Sequence, residues 1–556
     1  MAQRKRVRGW RPQGPSGHVD SFTRDRLPPP ELQAPVDYSA LPALAAYPDR
    51  INAADVLLGA RVRAGDGGRT AVLFAGRAWS YAELDAVSAR IAHVLVDDLG
   101  LVPGNRVLLR AANNLMMAAC WLAVLRAGGV CVATMPLLRA RELTYIATKA
   151  EIRHALCDVA LAAELEQTRA KVPALDRVSY FTATGDGGAG DADLDRRLAA
   201  KDTRFAAADT AADDVAIIAF TSGTTGQPKG CMHFHRDILA MCDCFPPHVF
   251  RSSRDDIVTG SPPLAFAFGL GGLLCFPMRV GAAAALVDKP SPEALLDAIA
   301  RYRCTALYTA PTAYRALTGQ VGGHDISSLR KCVSAGETLP APTWHAWHEA
   351  TGLKIIDGIG TTEMLHIFIS SPQEEAVPGA TGRVVPGYQA CVLADDGAPA
   401  AAGAIGRLAV RGPTGCRYLD DVERQKGYVE GGWNITGDVY RQDEDGYFWY
   451  QARADDMIIS AGYNIAGPEV EAALLEHADV LECGVVGEPD EKRGQIVAAH
   501  VVLRAGVPRT ADTAKALQDF VKQQIAPYKY PRRVVFADAL PRTETGKLQR
   551  FKLSRG

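Results

Sequence analysis

Residues 221–230 read TSGTTGQPKG, and this run, taken with what flanks it, decides the fold. Glycines and hydroxyl side chains followed by a lysine offer what phosphate requires: unhindered backbone N–H groups, O–H donors and a cation. A mononucleotide P-loop needs G-x-x-x-x-G-K-[ST], in which the second glycine lets the backbone fold round the phosphates and the last hydroxyl binds Mg2+. Here Pro228 stands where that glycine belongs and Gly230 where the hydroxyl belongs. The stretch is therefore a phosphate loop of another kind. Before it, DVAIIAF (214–220) reads as a short buried strand; after it, CMHFHRDILAMC (231–242) has helical character. Strand, loop and helix in that order predict backbone amides converging on an anion.

Farther out, NRVLLRAA (105–112) reads as another buried strand, and SYAELDAVSARIAHVLVDDLG (80–100) carries helical apolar spacing after a serine cap. Such alternation predicts an α/β fold. The uncharged run Ile257 to Met278 is long enough to suggest a membrane span, but it contains Pro262, Pro263, Pro277 and four glycines. In lipid those breaks leave backbone groups unpaired, so the run is expected to be buried loop and strand beside a site. The Ala/Gly/Asp patches near 185–214 and 394–404 read as surface loops. From Arg453 the texture changes. RADDMIISAGYNIAGPEVEAALLEH gives a charged link, a strand, a glycine turn and a helix, and VLECGVVGEPD and IVAAHVVL add two strands. The expected organisation is an N-terminal extension (1–40), a large N-terminal domain of α/β subdomains (41–453) and a small α+β domain (456–556) of about a hundred residues.

With 61 basic against 63 acidic residues and a net charge of −2, the chain has no electrostatic footprint for nucleic acid. Its twelve cysteines show no framework spacing and read as reduced, buried small side chains, which favours the cytoplasm. The opening MAQRKRVRGWR is basic but is followed by no apolar segment, so it reads as a disordered extension rather than a secretory signal. Cys231, His233, His235, Cys242, Cys244 and His248 fall within eighteen residues, but neither C-x-x-C nor H-x3-H spacing is present, and on one helix their side chains would diverge. Neither a zinc site nor a Cys/His/Asp hydrolase triad is expected from them.

TSGTTGQPKG resembles the phosphate loop of the AMP-forming adenylating superfamily, the acyl-CoA and aryl-CoA synthetases, adenylation domains and luciferases. Five further stretches match that family's motifs in its order: AGETL (335–339), DGIGTTE (357–363), TGD (436–438), RADDMIISAGYNI (453–465) and PRTETGK (541–547). SYAEL and LRAGGVCVATMP (125–136) match upstream. The resemblance implies a reaction in which a carboxylate attacks the α-phosphate of ATP and CoA then displaces AMP. It implies that Thr221, Ser222, Gly223, Thr224, Thr225 and Lys229 meet the phosphates, and that Glu363 helps hold Mg2+. Gly336, Glu337, Thr338, Asp357, Gly358, Gly360 and Thr361 are implied to line the nucleotide site, Asp438 to take the ribose hydroxyls, and Arg453 to reach ribose and phosphate. By the same likeness Lys547 is carried into the site by a mobile C-terminal domain, Asp455 is the hinge, and Gly462 lines the pantetheine tunnel.

GIGTTEMLHIF is similar to benzoate-CoA and 2-aminobenzoate-CoA ligases, which implies that His366 and Ile367 border an aromatic ring and that Ala267 and Phe268 form the opposite wall. HVDSFTRDRLPPPE (18–31) is similar to the opening of the 2-aminobenzoate branch. Where the benzoate enzymes tend to have tyrosine, Phe268 lacks the hydroxyl. The expected substrates are therefore a small aromatic acid (2-aminobenzoate first, benzoate next), ATP and CoA. Rival readings are a synthetase for another carboxylic acid, a stand-alone adenylation enzyme loading a carrier protein, and a non-catalytic nucleotide-binding protein. With no carrier-type serine motif after the last domain, CoA is the expected acceptor; with Lys547 and Glu363 both present, catalysis is expected. Oligomeric state is not readable.

Overall fold

The structure, a computed structural model, describes residues 15–187, 192–221, 228–453, 456–460, 463–490, 493–525, 527–542 and 548–554. Among them the strands form four sheets. One is ordered Arg177–Phe181, His154–Asp158, Arg106–Arg110, Val130–Thr134, Val215–Thr221, Lys229–Phe234, parallel except for the last pair. A larger sheet contains the parallel neighbours Ile355–Gly360, Lys331–Ala335, Ala306–Thr309, Ile257–Gly260, Ala283–Ala285 and Thr70–Phe74. Strands of Val, Leu and Ile buried on both faces are what a parallel sheet covered by helices requires. The helix Leu115–Arg126, buried along its whole length, packs on strands of both sheets and joins their cores. Parallel strands end together, so Ser261, Gly336 and Thr361 emerge along one edge, where α/β sheets hold ligands.

The expected helix after Ser80 is Tyr81–His93, closed by a capping box in which Glu83 N–H donates to Ser80 Oγ at 3.2 Å and Ser80 N–H to Glu83 Oε2 at 2.7 Å. Three local expectations are corrected. Residues 229–234 are strand, and the helix starts only at His235. Pairing with Val215–Thr221 and the bond from Met232 N–H to the Arg417 carbonyl override the helical pattern there. The run Ile257–Met278 contains a helix spanning 267–280, α-helical at Ala267–Leu270 and Phe276–Val280 and π-helical at Gly271–Cys275. The wider π turn lets the ladder pass Pro277, which has no N–H to give. Within the patch 185–214, the helix Asp193–Leu198 buries Leu194 and Leu198, and Thr210 to Asp214 are buried, so this is not surface loop throughout.

A third sheet, Gln389–Leu393, Ile405–Arg411, Trp433–Gln442, Val429–Glu430 with Phe448–Arg453, precedes the C-terminal unit. In that unit Ile458–Ser460, Tyr463–Ile465, Val480–Asp490, Gly494–Leu503 and Arg533–Phe536 form one sheet under the helices Gly467–Leu475 and Ala511–Gln524, with its own core around Val470, Leu474, Val497 and Leu517. The fold is α/β with a smaller α+β C-terminal domain, as the sequence implies.

At the other end, the basic opening residues lie outside the described residues, and from Ser16 the chain packs on the six-stranded sheet. Asn105 Nδ2–H donates to Asp20 at 2.8 Å, Arg106 bonds Asp20, and buried Phe22 lies 4.0 Å beneath the Arg106 guanidinium. Among the described residues no helix is long and apolar enough to cross a membrane.

Candidate active site

Thr221 and Lys229 face each other in register as the last pair of an antiparallel ladder, so the phosphate-loop motif is the tip of a hairpin. The described residues on either side are strand and strand, in place of the expected strand and helix. Ser222, Gly223, Thr224 and Thr225 lie outside the described residues. Lys229 Nζ sits 5.6 Å from the centre of the Tyr418 ring, and the Tyr418 hydroxyl donates to Glu363 Oε1 at 2.6 Å. The hairpin lysine and the carboxylate of DGIGTTE are therefore linked through a buried tyrosine that no sequence motif singles out.

Glu363 rides on the single 3-10 turn Thr362–Met364, capped by the Thr361 hydroxyl, which accepts from Met364 N–H at 3.1 Å. Leu365 after it adopts φ +68°, a left-handed conformation that costs a branched residue energy and must be held by its surroundings. His233 holds it from below, its Nε2 2.7 Å from the Thr362 carbonyl oxygen. Burial pulls His233 down, but the neighbouring Cys231 thiolate and Asp237 carboxylate lift it to about 9, so it is a cationic donor to that carbonyl. Asp237 is itself paired with Arg417 at 2.7 Å. His233 thus serves a buried ion cluster under the turn. Among the described residues no group of three or more His, Cys, Asp and Glu side chains could hold a metal ion.

The segments expected to line the nucleotide lie on two adjacent strands, with Ser334 opposite Asp357 and Ala335 opposite Gly358. Gly336 turns at φ +90° as the first strand ends. Gly360 is required by its neighbour: a Cβ there would lie 2.5 Å from the His366 carbonyl oxygen. Glu337 turns back onto the wall, its Oε2 accepting from Thr312 Oγ1–H at 2.6 Å. Burial raises the Asp357 carboxyl to about 8, so it is protonated at neutral pH. Asp438 and Arg453, the pair expected at the ribose, are register partners, and Arg453 donates to Asp438 Oδ1 at 3.0 Å. Asp455, Gly462 and Lys547 lie outside the described residues.

On the other side of Glu363 stands a cluster of rings. His366 meets Phe276 edge-on at 4.4 Å between centroids, Phe245 at 5.7 Å and Phe268 at 6.0 Å, and Phe268 in turn meets Tyr308 at 5.9 Å. Ala267 and Phe268 begin the helix spanning 267–280, which lies flat on the rings because it presents Gly271 and Gly272: a Cβ on Gly271 would sit 2.4 Å from His366 Cδ2 and one on Gly272 2.6 Å from Tyr308 Cδ1. Ile367 faces Gly358 instead, within 2.8 Å of where a Cβ would be. His366 is 3% exposed, and among the described residues neither of its nitrogens has a hydrogen-bond partner. Burial pushes it down to about 3, against the pull of the Phe268 backbone, so the ring is neutral. Phe245, Phe276 and Tyr308 join this cluster without having been singled out in the sequence, because nothing in their local patterns marks them off from ordinary core.

Residues 60–418 match the AMP-binding enzyme family, and residues 469–547 match the AMP-binding enzyme C-terminal domain. The chain belongs to the AMP-binding enzyme family. A benzoate–CoA ligase of Thauera aromatica is 35% identical over 93% of this chain and 98% of that protein. A 4-hydroxybenzoate–CoA/benzoate–CoA ligase of Rhodopseudomonas palustris is 32% identical over 90% and 93%. Among solved structures, that of an anthranilate CoA ligase in complex with anthranoyl-AMP superposes with a TM-score of 0.87 at 32% identity, covering 92% of this chain and 98% of that one. The reading of this family member as an AMP-forming acid–CoA ligase of the aryl type stands on these likenesses together with the family match.

Proposed function

We propose that the protein is an ATP-dependent ligase that joins a small aromatic carboxylate to CoA through an aryl-AMP intermediate, with 2-aminobenzoate as first choice and benzoate next. The observation that carries the choice is His366. A neutral imidazole presents one N–H donor, which here leans on the Phe268 backbone, and one acceptor nitrogen, which lies without a donor among the described residues in a buried cluster of aromatic rings. The rings of Phe245, Phe268, Phe276 and Tyr308 are the apolar surroundings that an aromatic acid requires, and an ortho amine supplies the donor that the acceptor nitrogen lacks. Benzoate brings the same ring but leaves that acceptor nitrogen unpaired, a difference of about 1–3 kcal/mol.

In the first half-reaction a carboxylate oxygen bonds to the α-phosphorus and the bond to the bridging oxygen of pyrophosphate breaks. Charge moves onto the leaving group, where Thr221, the hairpin loop and Lys229 meet it as preorganised donors and cation. Glu363 fits a role in holding Mg2+: its Oε1 is committed to Tyr418, which leaves Oε2 for an ion. A single carboxylate oxygen suits an ion that fills its shell with phosphate oxygens and water, and Mg2+ when bound neutralises phosphate charge. Asp438 accepts from the ribose hydroxyls, with Arg453 fixing its orientation. In the second half-reaction the CoA sulfur bonds to the acyl carbon and AMP leaves, with Gly462 keeping the thiol passage open. Pyrophosphate release measured across aromatic, medium-chain and amino acids tests the proposal: release greatest with 2-aminobenzoate and benzoate supports it, and release greatest with an aliphatic or amino acid refutes it.

A further inference from the structure

Tyr418, whose hydroxyl donates to Glu363, lies on a stretch that is held from two sides by different means. On one side is the strand Lys229–Phe234: the Arg417 carbonyl accepts from Met232 N–H at 2.8 Å, Leu419 N–H donates to the Gly230 carbonyl at 2.8 Å, and Cys231 and Tyr418 are antiparallel bridge partners. Residues 417 and 419 spend their backbone groups on that strand, so the N–H of Tyr418 faces away from it. A side chain meets it there. Gln425 Oε1 accepts from Tyr418 N–H at 2.9 Å, while Gln425 Nε2 donates to the Cys416 carbonyl at 3.0 Å and to the Leu32 carbonyl at 2.9 Å. Gln425 is 0% exposed. A primary amide carries one acceptor oxygen and two N–H donors, and here it meets one N–H and two carbonyls. An ionised glutamate has no donor for the carbonyls, and an aliphatic side chain gives up all three bonds.

The helix Val422–Tyr428, which carries Gln425, is capped by Asp421, whose carboxylate accepts from Arg424 N–H at 3.2 Å. Three residues after Gln425, Tyr428 meets the Tyr418 ring edge-on at 5.8 Å, and its hydroxyl lies 3.4 Å from Thr361 Oγ1. One short helix thus holds Tyr418 by both backbone and ring. On the far side of Gln425, Leu32 ends the 3-10 turn Pro30–Leu32, and Gln33 Nε2–H donates to the Pro28 carbonyl at 2.7 Å, closing the turn that presents the Leu32 carbonyl. We propose that Gln425 is a positioning residue for adenylation: it holds the Tyr418 backbone between the strand Lys229–Phe234 and residues 28–33, so that the Tyr418 hydroxyl meets Glu363. The inference rests on the reading of Glu363 as the carboxylate that holds Mg2+. Residues 28–33, part of an extension by sequence, thereby belong to the scaffold of the site.

The Mg2+ dependence of ATP binding, measured by calorimetry on the full chain, tests this, with AMP binding in the absence of Mg2+ as the control. Gln425→Met, close in length but without the amide, should raise the Mg2+ concentration for half-maximal ATP binding about threefold to tenfold and leave AMP binding within about twofold. In a Tyr418→Phe background the same substitution should add less than about twofold, because the hydroxyl through which Gln425 acts is gone. Gln33→Ala, which loosens only the turn at 28–33, should shift the Mg2+ requirement in the same direction by less. An unchanged Mg2+ requirement in Gln425→Met, a shift that persists in full in the Tyr418→Phe background, or an equal loss of AMP binding would overturn the proposal, and a silent Gln33→Ala would overturn the part given to residues 28–33. Should Gln425→Met not fold, Gln425→Asn, which keeps the amide on a shorter arm, carries the same cycle. Glu363→Gln runs in parallel: if it leaves the Mg2+ requirement unchanged, the reading of Glu363 fails, and the coupling of Gln425 to Tyr418 is read separately from the rate of pyrophosphate formation.

Discussion

The hydroxyl of Tyr418 donates to Glu363 Oε1 at 2.6 Å, and the Lys229 ammonium lies over the same tyrosine ring at 5.6 Å. One buried side chain thus fixes the orientation of the Glu363 carboxylate and stands beside the Lys229 ammonium, the two groups proposed to meet Mg2+ and phosphate.

Tyr418→Phe keeps the ring and its edge-on contact with Tyr428 but removes that hydrogen bond. A bond to a charged group contributes about 1.5–3 kcal/mol, so adenylation is expected to fall about tenfold to a hundredfold. The Mg2+ concentration for half-maximal ATP binding, measured by calorimetry, should rise. An unchanged Mg2+ requirement would mean that Tyr418 does not orient Glu363.

Gly271→Ala puts a methyl group 2.4 Å from His366 Cδ2 and 2.8 Å from Phe276 Cζ. The helix or the imidazole has to move, at a cost of about 1–3 kcal/mol in stability. We expect the KM for 2-aminobenzoate to rise at least tenfold while ATP binding is unchanged. Equal weakening of both would place the disturbance outside the ring slot.

Phe268→Ala removes a ring that contacts both His366 and Tyr308. Loss of a buried ring costs about 3 kcal/mol or more, so kcat/KM for benzoate-sized acids should drop and bulkier acids should gain relative to them. Phe268→Tyr should shift the ratio of 2-aminobenzoate to benzoate turnover, measured as kcat/KM for each.

His366 titrates near 3 in the folded protein against an ordinary 6.5. Between those values the unfolded chain binds the extra proton, so the stability tied to neutral His366 is full above pH 6.5 and is lost as pH falls toward 3. His366→Phe should therefore lose less stability than the unmodified protein between pH 7 and about 5. The urea midpoint compared at the two pH values checks this, and identical pH dependence in the two proteins would contradict a buried neutral imidazole.

The long-range plan was legible because each element announces itself locally: Ser80 with Glu83 caps a helix, Val107, Leu108 and Leu109 make a buried strand, and six ordered motifs point to the family and its fold. Residues 231–234 misled because their helical spacing competes with a strand pairing to residues 215–221 and to Arg417, which only tertiary structure supplies. Prolines and glycines in 257–278 suggested loop, since a sequence does not display the π turn that absorbs Pro277. Tyr418 and Tyr308 act through partners 55 and 40 positions away, at Glu363 and Phe268, and no local pattern records such pairings.

The central claim is that this site selects a small aromatic acid. The most direct measurement offers the unmodified protein equal concentrations of 2-aminobenzoate, benzoate and octanoate with limiting ATP and excess CoA, and counts the thioesters by mass spectrometry. Product ratios then equal the ratios of kcat/KM. The account predicts 2-aminobenzoyl-CoA in excess over benzoyl-CoA and both in large excess over octanoyl-CoA; octanoyl-CoA as the main product would contradict it.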